Sequence, residues 1–177
     1  MTRRFARLLA VALLLIISLP PAHALNEVAI HEIQFTTAPS GDSPYRDHLI
    51  TTGGLVTALF PDGYDIQEPM SGPWSGIFVA DSLNRPRPGS FVTLSGEVVE
   101  SSGMTILAEI SAFNLINSGN NLPGPVTIQT PDIALGSPTA ESLESVLIRT
   151  GRVTVAGVDP AGNYWEVCDS SGISARI

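Results

Sequence analysis

Apolar and polar residues alternate in short runs along most of the chain after residue 25, and clusters of Gly, Pro, Asn and Asp separate the runs. A spacing of two marks strands, because successive side chains on a strand point to opposite faces, and the three-and-four spacing of a helix is nearly absent. The class is therefore all-β. Residues 26–35 read as a lead-in strand with Val28, Ile30 and Ile33 as its apolar points, and residues 36–47, with Pro39, Gly41, Asp42 and Pro44, as a loop. A long strand follows over 48–60. Its central Gly53-Gly54 predicts a bulge or bend, and Asp62-Gly63 predicts a hairpin turn built on residues that tolerate positive φ. A second strand over 64–68 ends at Pro69, and a third covers 76–80. The proline-rich stretch 84–89 then connects to a fourth strand over 90–99, which carries Gly96. A turn at 101–103 leads into the fifth, over 104–116.

Five strands, long first and fourth members and a connector between the third and fourth match an OB-like barrel over residues 25–117. Residues 118–145 are rich in Asn, Gly, Pro, Ser and Thr and read as an extended linker, with one helical turn predicted at 140–145. The pattern then returns. Leu49-Ile50-Thr51-Thr52-Gly53 recurs as Leu147-Ile148-Arg149-Thr150-Gly151; Tyr64, Ile66 and Glu68 align with Trp165, Val167 and Asp169; Ser75-Gly76-Ile77 aligns with Ser171-Gly172-Ile173. Residues 146–177 thus predict a partial second OB-like repeat that has supplied three of five strands by Ile177. Such a unit is expected to continue in a longer chain, to pack on the first barrel, or to pair its open edges with a partner.

The start of the chain changes the cellular setting. Arg3, Arg4 and Arg7 precede an apolar run from Leu8 to Leu19, and Ala22-His23-Ala24 supplies a small-residue exit. That order predicts a signal peptide over residues 1–24, because about twelve apolar residues fall short of the roughly twenty that span a bilayer. The protein is expected to be secreted or periplasmic, with no stable membrane anchor after cleavage. Cleavage leaves six Arg, no Lys and seventeen Asp plus Glu, a charge of −11, and such a surface repels a polyanion at long range. Cys168 is the one cysteine, so neither an intramolecular disulfide nor a cysteine zinc site is expected.

Over Ile30 to Ile116 the chain resembles the OB-fold domains found ahead of the catalytic region in secreted bacterial nucleases, the extracellular-nuclease and endonuclease-precursor group. The resemblance rests on Ile30-His31-Glu32-Ile33-Gln34, Ser43-Pro44-Tyr45, Thr52-Gly53-Gly54-Leu55-Val56-Thr57-Ala58, Ile66-Gln67-Glu68-Pro69, Ser75-Gly76-Ile77-Phe78-Val79 and Val92-Thr93-Leu94-Ser95-Gly96. It implies a non-catalytic accessory module that binds single-stranded DNA or RNA. The residues themselves supply no zinc helix, phosphate loop or nucleophile elbow, so no enzyme is expected.

Ligands of an OB-fold lie on the outer face of its second and third strands, where aromatics stack bases and cations track phosphates. Alternation turns Tyr64, Ile66, Ile77 and Val79 inward and Asp65, Gln67 and Phe78 outward, which places Phe78 beside Trp74 as a stacking pair. Arg85 and Arg87 on the stiff connector, with Arg46 near the first strand, are the candidate basic contacts. Asp62, Asp65, Glu68 and Asp81 gather around the second strand and admit a divalent cation, but no calcium-loop spacing occurs and no cofactor is expected. Two other classes of function remain open. One is a structural or protein-interaction module that recruits another exported protein through the partial repeat; the other is an oligosaccharide-binding module.

Overall fold

The computed structural model describes residues 27–177, so the export segment expected over residues 1–24 lies outside the described residues. Its elements are α1 (Ile30–Gln34), β1 (Leu49–Leu59), β2 (Tyr64–Gln67), β3 (Gly76–Val79), β4 (Phe91–Ser101), β5 (Met104–Asn117), β6 (Val126–Thr127), β7 (Ile148–Arg149), β8 (Thr154–Val158), β9 (Trp165–Cys168) and β10 (Ser174–Arg176). Strands β1 to β5 close into a barrel in the order β1-β2-β3-β5-β4. All neighbours are antiparallel except β3 and β5, which pair in parallel through Phe78–Ile106 and Val79–Leu107. This is the five-stranded OB-like barrel that the strand pattern predicts.

The lead-in is a helix rather than a strand. Ile30 and Ile33 are three apart, and on a helical turn both fall on one side, so both enter the barrel core completely buried, with Gln34 beside them. Only the residues just before α1 are extended: Glu27 bridges Thr51 in parallel, and the Val28 amide donates to the Thr51 carbonyl at 2.8 Å. Alternation along the strands does the rest. Val56, Tyr64, Ile66, Ile77 and Val79 all point inward and are fully buried, each side chain contributing roughly 1.5–3 kcal/mol of transfer free energy.

The bulges sit elsewhere than at Gly53-Gly54. In β1 the register slips between Val56 and Ala58, where the strand follows β2; in β4 it slips between Ser95 and Glu97, at the expected Gly96. Gly63 is needed for a different reason from the one its turn position suggests. Its φ is not positive, but a Cβ there would meet the Val79 carbonyl oxygen at 2.1 Å, so the β1–β2 turn can lie against β3 only as glycine.

Residues 118–145 are more than a linker. They hold β6 and a 3-10 turn over Thr130–Ile133, and they bury Ile128 and Thr130; a second 3-10 turn at Glu141–Leu143 is the helical turn expected there. Strand β6 pairs in parallel with β7, and β8-β9-β10 form a separate antiparallel sheet.

This second region reproduces contacts of the first. The Ile128 amide donates to the Arg149 carbonyl as the Val28 amide does to Thr51. Asp169 accepts from the Thr130 amide at 2.8 Å as Glu68 accepts from the His31 amide at 2.9 Å. Register slips between Val155 and Gly157, opposite Val167, as it does between Val56 and Ala58, opposite Ile66. The two triplets Val56–Ile66–Ile77 and Val155–Val167–Ala175 pair across their strands in the same way, so the counterpart of Ile77 is Ala175 and not Ile173, which the sequence alignment gives and which precedes β10.

Between the regions, residues 141–147 form a strap over β2 and β3. The Trp74 amide donates to Ser142 O at 2.6 Å, the Leu147 amide donates to Gln67 Oε1 at 2.9 Å, and the Thr105 amide reaches Glu144 Oε2 at 3.4 Å. The strap explains why Gln67, expected on the outer face, is fully buried, with its amide nitrogen donating to Ser75 Oγ. It also explains Gly76, where a Cβ would meet the Ser145 carbonyl oxygen at 2.2 Å.

Candidate ligand cleft

The hairpin turn after β1 carries Phe60 outward, and pairing of β2 with β3 sets Asp65 directly opposite Phe78. Parallel pairing of β3 with β5 brings Ile106 to the other side of Phe78, and Met104 follows on the same outward face because the intervening Thr105 is buried. These residues line an open cleft of about 540 Å³. Phe60 and Phe78 lie with ring centroids 6.0 Å apart, and with Met104 and Ile106 they make the apolar wall. The polar rim consists of Asp62, Asp65, Ser101, Ser102 and Ser145. The cleft therefore occupies the outer β2–β3 face, between the β1–β2 and β4–β5 turns.

Its electrostatics are one-sided. Burial pushes the Asp65 carboxyl up to about 6, although a hydrogen bond with Ser145 partly offsets the shift. Among the described residues the ion pairs are those of Arg46 with Asp42, at 2.9 Å, and with Asp47, at 3.7 Å, so Asp62 and Asp65 face the cleft with no cation against them. Every polar side chain that lines the cleft is a carboxylate or a hydroxyl. Such a surface accepts hydrogen bonds and positive charge and offers an apolar plane for stacking.

The structure brings some of the expected site residues together and separates others. Phe78 lies in the cleft. Trp74 does not stack with it: its ring packs edge-on against Phe35 at 5.7 Å, in a separate hollow with Pro138 and Glu141, and its backbone, at φ 68°, holds the strap. Arg85 is exposed and outside the cleft lining, and its Nη1 donates to the Pro61 carbonyl at 3.0 Å, which ties one cation to the β1–β2 turn. Arg87 is exposed and shares with Arg85 a groove against Leu115. Arg46 lines a different hollow and is engaged by its two aspartates, so it completes no basic edge with the connector.

The acids around β2 also part company. Glu68 accepts from the His31 amide, and Asp81 is buried while accepting from the Leu83 and Asn84 amides at 2.9 and 3.0 Å. Among the described residues no group of three or more His, Cys, Asp or Glu is placed to hold a metal ion. Sequence reasoning missed Phe60, Met104 and Ile106 as site residues. The alternation along the fifth strand was the available signal, but its register against β3 is a long-range pairing.

No family model matches the chain, and no curated protein matches it. Among solved structures it is similar to the hypothetical protein YgiW from E. coli, at 15% identity and a TM-score of 0.32, over 40% of this chain and 77% of that one.

Proposed function

We propose that the protein is an exported, non-catalytic OB-fold binding module whose ligand occupies the cleft between the β1–β2 and β4–β5 turns. One observation carries the choice of ligand: the Phe60–Phe78 wall faces Asp62 and Asp65, with only hydroxyls besides, and no cation lines the cleft. An oligosaccharide suits that surface. Its apolar ring face stacks on aromatics and its hydroxyls donate to carboxylates, whereas a phosphate backbone brought against two carboxylates is repelled. A second reading, single-stranded nucleic acid, is favoured by the Arg85–Pro61 contact, which holds a cation on the β1–β2 turn outside the cleft lining, within the region where a nucleic acid's phosphates would be tracked.

Titration calorimetry with neutral oligosaccharides and with single-stranded DNA separates the two. The oligosaccharide reading expects salt-insensitive binding that Phe78→Ala weakens by about tenfold or more and Arg85→Ala leaves unchanged. DNA binding that falls steeply with salt and with Arg85→Ala would move the assignment to nucleic acid. A Phe78→Ala protein that binds either ligand as tightly as the wild type removes the cleft from consideration.

A further inference from the structure

Trp74 stands apart from the cleft, and we infer that it marks a second subsite for the same ligand, an extension that rests on the oligosaccharide reading. A sugar chain long enough to leave the Phe60–Phe78 wall continues across the strap and stacks on Trp74. The indole lines an open hollow of about 350 Å³ with Thr37, Ser40, Ser137, Pro138 and Glu141. Among the described residues no cation lines it; apart from the indole N–H, its polar side-chain groups are hydroxyls and one carboxylate. The cleft's chemistry is thus repeated here, an aromatic plane beside a carboxylate and hydroxyls. The indole N–H adds a donor that a sugar hydroxyl can accept from.

The hollow has ordered walls. On one side the Ala38 amide donates to Thr36 Oγ1 and the Gly41 amide to the Ala38 carbonyl, both at 3.0 Å. On the other, Thr139 Oγ1 donates to the Asp132 carbonyl and Ser142 Oγ to the Thr139 carbonyl, both at 2.7 Å. The walls meet at Gly41, φ 82°, where a Cβ would come within 2.9 Å of the Glu141 carboxyl. Trp74 is itself at φ 68°, in the left-handed region that favours glycine, yet its ring is held edge-on by Phe35 and its amide by the Ser142 carbonyl. A strained backbone that fixes an aromatic against a hollow suits a binding surface, where position counts for more than local stability.

Both sites border the strap. Glu141 lines the hollow, and Ser145, four residues on, lines the cleft. Trp74 and Phe78 are likewise four residues apart, a span of at most about 14 Å along the chain. Between the sites the strap carries the partly exposed Ser142, Leu143 and Glu144. An oligosaccharide of several units bridges that span; a disaccharide seated on Phe60 and Phe78 falls short of Trp74. Short ligands take the cleft, which offers two aromatic rings to the hollow's one.

Titration calorimetry with neutral oligosaccharides of two and six units, built from α- or β-linked glucose or β-linked N-acetylglucosamine, tests the extension. The six-unit ligand is expected to bind roughly tenfold more tightly than the two-unit ligand of the same sugar. Trp74→Ala should remove that gain and leave the two-unit affinity unchanged, whereas Phe78→Ala should weaken both. Because Trp74→Ala could act by loosening the strap, a second probe leaves the hollow intact. The chain has two tryptophans, so in a Trp165→Phe protein the emission of Trp74 reports on the hollow alone. The six-unit ligand is expected to shift that emission to shorter wavelength, and the two-unit ligand to leave it in place. Equal affinity for both lengths, a length gain that survives Trp74→Ala, or six-unit binding that leaves Trp74 emission unchanged overturns the second subsite while the cleft stands. Failure of the wild-type protein to bind either length removes the oligosaccharide reading, and the second subsite with it.

Discussion

The two regions of this chain use the same local devices and reach opposite outcomes. Each begins with a short segment bridged in parallel to the next strand, Val28 to Thr51 and Ile128 to Arg149. Each ties that segment to the end of the second meander strand through a carboxylate, Glu68 or Asp169, and each bulges its first strand at the equivalent point. Yet Tyr64 is sealed inside a core while Trp165, its counterpart, is half exposed. The difference lies in the two strands β4 and β5, which complete one region and have no counterpart among the described residues of the other. A meander of three strands specifies a barrel wall; burial requires closure.

The sharpest way to break that comparison is to truncate the matched aromatics. Tyr64→Ala should cost about 3–5 kcal/mol, because it empties a site with no solvent access. Trp165→Ala should lower stability by under ~1 kcal/mol, since half its surface is wet in the folded state. Urea titration followed by circular dichroism reads both, and equal losses would mean that the second sheet is as well sealed as the barrel.

The strap between the regions is the next target. Gly76→Ala drives a methyl group into the Ser145 carbonyl, with an expected cost of roughly 1–3 kcal/mol from overpacking. Loss of hydrogen-exchange protection at the Trp74 and Leu147 amides, with the barrel core still protected, would place that cost in the strap. Uniform loss across β1–β5 would place it in the barrel instead.

The smallest effect is in pH. Burial, with Glu141 nearby, pushes the Glu144 carboxyl up to about 7, and burial, with Glu100 and Asp42 nearby, raises Glu141. Asp65 stands at about 6. In each case the folded protein holds its proton more tightly than the unfolded chain. The resulting stabilisation is complete below the unfolded values, near 4 to 4.5, and is lost as pH rises through about 6 to 7. Asp169 works in the other direction: hydrogen bonds from Ser171 and Thr130 lower its carboxyl, so its contribution survives across this range and is lost only in stronger acid. The melting temperature is therefore expected to fall by a few degrees between pH 5 and pH 8. Glu144→Gln should flatten that slope, and an unchanged slope would remove Glu144 as its source.

The strand pattern made the barrel legible because its inward positions follow a period of two that the local sequence carries in full. Tyr64, Ile66, Ile77 and Val79 are read correctly from alternation alone. The lead-in was misread because Ile30 and Ile33 fit a short helical turn as well as a strand, and five residues are too few for periodicity to decide. Trp74 and Phe78 are near in sequence, which suggested a pair; the positive φ at Trp74 and the strap over β3 send its ring to Phe35 instead.

By itself, then, the sequence determined what is local: the class, the strands of the barrel, and the echo of its first three strands near the chain's end. The tertiary structure decided what depends on contacts between distant segments. Parallel pairing of β3 with β5 created the cleft around Phe60, Phe78, Met104 and Ile106, and residues 141–147 buried Gln67. The ion pairs of Arg46 withdrew it from the candidate basic contacts, and Trp165, the counterpart of Tyr64, stayed half exposed while Val167 beside it was buried. Alternation says which side of a strand is apolar. Only the packing of other strands against that side determines whether it becomes a core or a surface.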